Sequence, residues 1–128
     1  MDYTINRLIA DADFDAVDAR TRAALATHGF GILTEIDVKA TMKRKLDVEM
    51  PANRILGGCN PKMACQAIGM EPGVGAMLPC NVILREVDGG VEVSAINPVA
   101  LMQAIENPAL HGVAGQVRDL LAKAVAGI

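Results

Sequence analysis

Ile55-Leu56-Gly57-Gly58-Cys59-Asn60-Pro61-Lys62-Met63-Ala64-Cys65, continued through Ile68-Gly69-Met70-Glu71-Pro72-Gly73-Val74-Gly75 and closed by Leu78-Pro79-Cys80, is the stretch on which the fold turns. A β-prone run ends in two glycines and a cysteine occupies the turn. Asn60 then caps a helix whose first position is Pro61, the residue type favoured there because its missing N–H would have no partner anyway. A glycine-rich connection leads to a second strand that opens on Cys80. If the two strands are antiparallel neighbours, the end of one lies beside the start of the other, and both thiols share one edge of the sheet.

Working outward toward the N-terminus, Tyr3 to Ile9 is a short β-prone run. Asp11-Ala12-Asp13 supplies acidic capping residues for a helix that places Phe14, Val17, Thr21, Ala24, Leu25 and His28 on one stripe, and Gly29 stops it. Phe30 to Asp37 alternates as a strand, with Phe30, Ile32, Thr34 and Ile36 on one side and Gly31, Leu33, Glu35 and Asp37 on the other. Asp37 caps a helix from Val38 to about Leu46, whose Lys39, Lys43, Arg44 and Lys45 suit the negative end of the helix dipole and read as a solvated basic face. Asp47 to Asn53, broken by Pro51, is a loop, and Arg54 to Gly58 is the third strand.

Toward the C-terminus, Cys80 to Val87 and Val91 to Ile96 flank Asp88-Gly89-Gly90, a strong hairpin signal. The Asn-Pro device recurs at Asn97-Pro98 and Asn107-Pro108, predicting a brief helix to about Glu106 and a long one after it. The long helix gathers Leu110, Val113, Ala114, Val117, Leu120, Leu121, Ala124 and Val125 on one broad apolar face, which must cover the sheet or a neighbouring subunit. Strands and helices in this order predict a single α+β domain over residues 1–128, a mostly antiparallel sheet with helices packed on it.

The composition agrees. A chain of 128 residues that is 52% hydrophobic and 21% charged is globular. Tyr3, Phe14 and Phe30 are the only aromatic residues, so the core falls to aliphatic side chains and seven methionines. A net charge of −3 with so few rings offers neither the basic stripe nor the stacking platforms of a nucleic-acid surface. No secretory signal and no apolar run of membrane-spanning length is read, and three cysteines without a scaffold spacing point to reduced thiols and a cytoplasmic protein.

The chemistry concentrates on the cysteines. Cys59 precedes the Asn60 cap, where the helix N-terminus and Lys62 favour a thiolate, and Gly57 and Gly58 permit close approach by a ligand or another backbone. Together with Cys80 it is a candidate dithiol, disulfide or metal pair; a packed, inert role is the alternative for each. Met63, four residues after Cys59, points to the same side, and a soft cluster with Met70 and Met77 would suit Cu(I), although gap-filling core is the plainer role of methionine. Cys65 reads as core or a spare thiol, and His28 and His111 as ordinary helix residues. Glu35 and Asp37 share a strand face as a possible carboxylate pair, more simply solvated or paired with the basic helix. Neither a phosphate loop, a dinucleotide fingerprint nor a Gly-x-Ser-x-Gly elbow is present.

Gly58-Cys59-Asn60-Pro61 with Ala64 and Ala67 behind it, Glu71-Pro72, Leu78-Pro79-Cys80, the Phe30 to Asp37 strand, the Asp88-Gly89 hairpin and the two later Asn-Pro pairs resemble the Domain of Unknown Function 302 family across nearly the whole chain. The resemblance implies an α+β fold similar to the TATA-binding-protein-like class, often homodimeric, without any DNA-binding role. It carries over Cys59, Asn60, Pro61, Pro79 and Cys80; Asn97 stands where the family more commonly has Asp, and Cys65 is outside the pattern. The expectation is a small binding domain, a homodimer, holding a small ligand, metal or sulfur species at a site of Gly58, Cys59, Asn60, Lys62 and Cys80, with Cys59, Cys80 and Met63 as candidate metal ligands. The alternatives are a thiol-dependent redox or sulfur-transfer protein with Cys59 as nucleophile and Cys80 as resolving thiol, and a structural dimer with buried cysteines. No cofactor is specified, and no nucleic-acid or membrane partner is expected.

Overall fold

Three Asn-Pro pairs start three helices in the computed structural model, which describes residues 2–128. The Asn60 carboxamide oxygen accepts from Met63 N at 3.3 Å, that of Asn97 from Val99 N at 3.1 Å, and that of Asn107 from Leu110 N at 3.3 Å. Each satisfies an amide that the first helical turn leaves without an internal partner. The elements in chain order are β1 (Thr4–Ala10), α1 (Phe14–Thr27), β2 (Gly31–Asp37), α2 (Val38–Leu46), β3 (Asn53–Cys59), α3 (Pro61–Met70), a 3₁₀ turn (Pro72–Met77), β4 (Cys80–Val87), β5 (Gly90–Ile96), α4 (Pro98–Leu101) and α5 (Pro108–Ala126).

The strands form one antiparallel sheet in the order β1-β5-β4-β3-β2. One face is the core: Leu56, Val82, Leu84, Val93 and Ala95 have no exposed surface. Helices α1 and α5 pack there, with α3 against α5. Seven residues of the α5 stripe are buried, so its apolar face covers the sheet of its own chain. Arg7 of β1 anchors the far end of α5, its Nη1 donating to the carbonyls of Val125 at 3.1 Å and Ala126 at 2.8 Å. The opposite face of the sheet carries the half-exposed row Ile36, Ile55 and Ile83, in register across β2, β3 and β4.

Two expectations are corrected. The strict alternation of Phe30 to Asp37 fails because β2 carries a bulge between Ile32 and Thr34, where consecutive partners on β3 are Gly58 and Gly57. Leu33 is the extra residue and is 66% exposed; beyond it the faces exchange, so Ile32 and Glu35 point to the same side. The helix after Asn97-Pro98 ends at Leu101 instead of near Glu106. Met102 turns into the core, the amides of Gln103 and Ile105 bond back three residues, and Asn107 takes the extended conformation that a residue before proline prefers.

A charged cluster ties the helical layer to β2 and β3. Asp18 of α1, 8% exposed, accepts from Arg22 Nε at 2.7 Å and Arg54 Nη1 at 2.9 Å. Arg22 reaches Glu35 at 2.9 Å, and Arg54 lies over the Phe14 ring at 5.1 Å. Burial pushes the Asp18 carboxyl up, but the two guanidinium hydrogen bonds and charges outweigh it and hold it below its ordinary value. Glu35 is therefore paired with Arg22 and Arg54, not with α2, and Asp37 caps α2 through Ala40 N at 2.9 Å. The two carboxylates thus have separate structural duties.

Candidate functional site

β3 and β4 bring the two cysteines to one edge of the sheet. Gly58 pairs directly with Cys80, so Cys59 follows the last matched position while Cys80 opens its strand. The antiparallel register thus closes the separation of twenty residues between them. Cys80 has the same parity as Val82 and Leu84 and is 7% exposed; Cys59, at the strand end, is partly exposed. All three thiols are free.

Both cysteines line a small cavity of about 40 Å³ at the N-terminus of α3. Phe30, Leu110, Val113 and Val117 form its apolar wall, and Leu78 and Pro79 close the side nearest β4. Met63 of α3 and Met102, from the turn after α4, enter the same lining. No charged side chain takes part, and Asn60, the polar one, is engaged as the α3 cap. A volume of that order has room for a few water-sized atoms.

Packing distinguishes the two glycines. A Cβ on Gly57 would lie 2.7 Å from Pro79 Cγ and 2.0 Å from Thr34 Oγ1, so that glycine is required by the chain's own packing and not by a ligand. Gly58 lines the cavity. Burial pushes the Cys80 thiol up to about 11, with the neighbouring Cys59 adding repulsion in the same direction. At the start of α3, Pro61 has no N–H and the Met63 N–H is taken by Asn60, which leaves few first-turn amides to face an anion.

Of the residues read from the sequence, Gly58, Cys59, Asn60, Met63 and Cys80 meet at the cavity. Lys62 does not; it is exposed on the outer side of α3. Met70 is 39% exposed and Met77 faces a separate cleft with Asn81 and Ile96, so the soft cluster forms without them. Met102 takes that place, 4% exposed, and no local spacing signals it because the turn that presents it exists only through the packing of α4 on α5. Cys65 is an exposed spare thiol and not a core residue. His28 and His111 make ordinary bonds to backbone carbonyls of Ala24 and Ile105 and stay outside the cavity. Among the described residues no three His, Cys, Asp or Glu side chains converge as a metal-binding group, and no helix is long and apolar enough to cross a membrane.

The family model described as "Domain of unknown function DUF302" matches residues 6–128. No curated protein matches the chain. Its fold is similar to the crystal structure of the uncharacterized conserved protein DUF302 from Bacillus stearothermophilus, with a TM-score of 0.91, 22% sequence identity and coverage of 98% of both chains. At that identity the likeness speaks to architecture.

Proposed function

The chain belongs to the DUF302 family, and on that footing we propose that it is a small binding protein that holds a compact, soft ligand, a metal ion or sulfur species, in the Cys59/Cys80 cavity. The observation that carries this reading is the convergence of two cysteines from different strands on one small, apolar space without charged side chains. Binding is favoured over catalysis because a resolving thiol must attack as a thiolate, and burial opposes that state at Cys80. The partner we propose is a second copy of the chain, seated on the sheet face that presents Ile36, Ile55 and Ile83.

Cys65 is a built-in reference for the test, being exposed and away from the cavity. Iodoacetamide labelling followed by peptide mapping should modify Cys65 first, Cys59 more slowly and Cys80 last in the protein alone. Preincubation with either inorganic polysulfide or Cu(I) should slow labelling at Cys59 and Cys80 while leaving Cys65 unchanged. If neither probe alters the cavity cysteines, the binding reading is wrong.

A further inference from the structure

Four sulfur-bearing residues line the cavity: the thiol residues Cys59 and Cys80 and the thioether residues Met63 and Met102. They come from β3, β4, α3 and the turn after α4, so the set exists only in the folded chain. Its other walls are chiefly carbon, from Phe30, Leu110, Val113 and Val117, and no carboxylate or imidazole enters. Calcium and magnesium need oxygen ligands, and zinc is ordinarily held by four thiolate, imidazole or carboxylate donors. Two thiols with two thioethers are the donor set that selects a soft monovalent d¹⁰ ion.

We propose that this cavity is a Cu(I) site, with Cys59 and Cys80 as thiolate ligands and Met63 and Met102 as thioether ligands. The proposal rests on the binding reading above and narrows its ligand to one class. Size agrees with it: a cavity of about 40 Å³ has room for a single ion among these side chains. Charge agrees as well. An anionic sulfur species would need N–H donors that α3 largely lacks here, whereas a cation offsets the mutual repulsion of two neighbouring thiolates.

Binding is ligand exchange without electron transfer. Copper arrives already as Cu(I) from a competing chelator; two S–H bonds break, two Cu–S bonds form, and two protons go to solvent while the thioethers donate lone pairs.

The test is an anaerobic titration of the whole chain with Cu(I) buffered by bathocuproine disulfonate. The expected result is one Cu(I) per chain and a thiolate-to-copper charge-transfer band. Cys59→Ser and Cys80→Ser should each weaken binding by at least about 100-fold, and Met63→Leu and Met102→Leu, which preserve volume, by about tenfold each. Cys65→Ser should leave it unchanged. Should a cysteine variant fail to fold by circular dichroism, the two Met→Leu variants carry the test. The proposal is overturned by the absence of one-to-one binding in the wild type, by affinity that survives Met63→Leu/Met102→Leu intact, or by loss of binding in Cys65→Ser. Protection of Cys59 and Cys80 by polysulfide without Cu(I) binding would overturn this assignment and leave the binding reading standing; protection by neither would end both.

Discussion

At Cys80 two influences act in one direction. Removal from water disfavours the thiolate, and Cys59 adds like-charge repulsion, which together raise the thiol from 9.0 to about 11. Below pH about 9 the thiol is protonated whether the chain is folded or not, and the contribution to stability is constant. Above that value the unfolded chain gains by releasing the proton while the folded chain does not, so stability falls as pH rises toward 11. Relative to Cys80→Ala, wild-type protein should lose roughly 2 kcal/mol between pH about 8 and about 10.5. Urea unfolding of both proteins across that range checks it; a stability difference that does not change with pH contradicts it. The position of this cysteine at a strand start was legible in the Leu78-Pro79-Cys80 spacing. Its burial was not, because burial depends on α5, whose Leu110 and Val117 form the facing wall.

Helix starts illustrate the element scale. Asn107 caps α5 through Leu110 N and also donates from Nδ2 to the Met70 carbonyl at 3.2 Å, tying the ends of α3 and α5 together. Asn107→Ala should therefore cost about 1–2 kcal/mol, the upper part of the range for a capping residue, and lower the melting temperature by about 3–6 °C. Asn97→Ala, whose cap opens the four-residue α4 and whose Nδ2 donates to the carbonyl of Asp2 at 3.2 Å near the chain terminus, should cost less in the same calorimetric comparison; equal losses would mean that joining α3 to α5 adds nothing to the cost. The Asn-Pro starts were readable because a cap is a contact between near neighbours in sequence. The β2 bulge was not, since it records a mismatch with β3, where Thr34 sits against Gly57 and Pro79 fills the remaining space. The stop at Leu101 was missed for a related reason. Met102 to Glu106 is compatible with a helix locally, but Met102 has to enter the cavity and the chain has to turn before Asn107.

For the whole molecule, the two faces of the sheet differ in what covers them. One lies under α1 and α5; the other bears the Ile36, Ile55 and Ile83 row, and Ile36 is 46% exposed. Flanking this row, Arg85 and Glu92 pair with each other and leave it locally neutral. If a second copy docks there, sedimentation equilibrium should give about twice the 13.4 kDa chain mass, and Ile83→Lys should return it to one chain, because a desolvated lysine opposite its own symmetry mate is strongly unfavourable. A wild-type protein that sediments as one chain, or an Ile83→Lys protein that remains paired, excludes this face.

The sequence by itself determined the order of the elements, the three helix starts, the β4–β5 hairpin and the two cysteines worth attention. These rest on periodicity, capping and turn chemistry, which act between residues a few positions apart. Tertiary structure alone decided that Cys80 is buried, that Met102 and not Met70 or Met77 joins it, that Lys62 stands outside, and that Glu35 answers to Arg22 and Arg54. Each of those outcomes depends on which surfaces of distant segments meet when the helices close over the sheet, and distance in space is information that neighbouring residues do not carry.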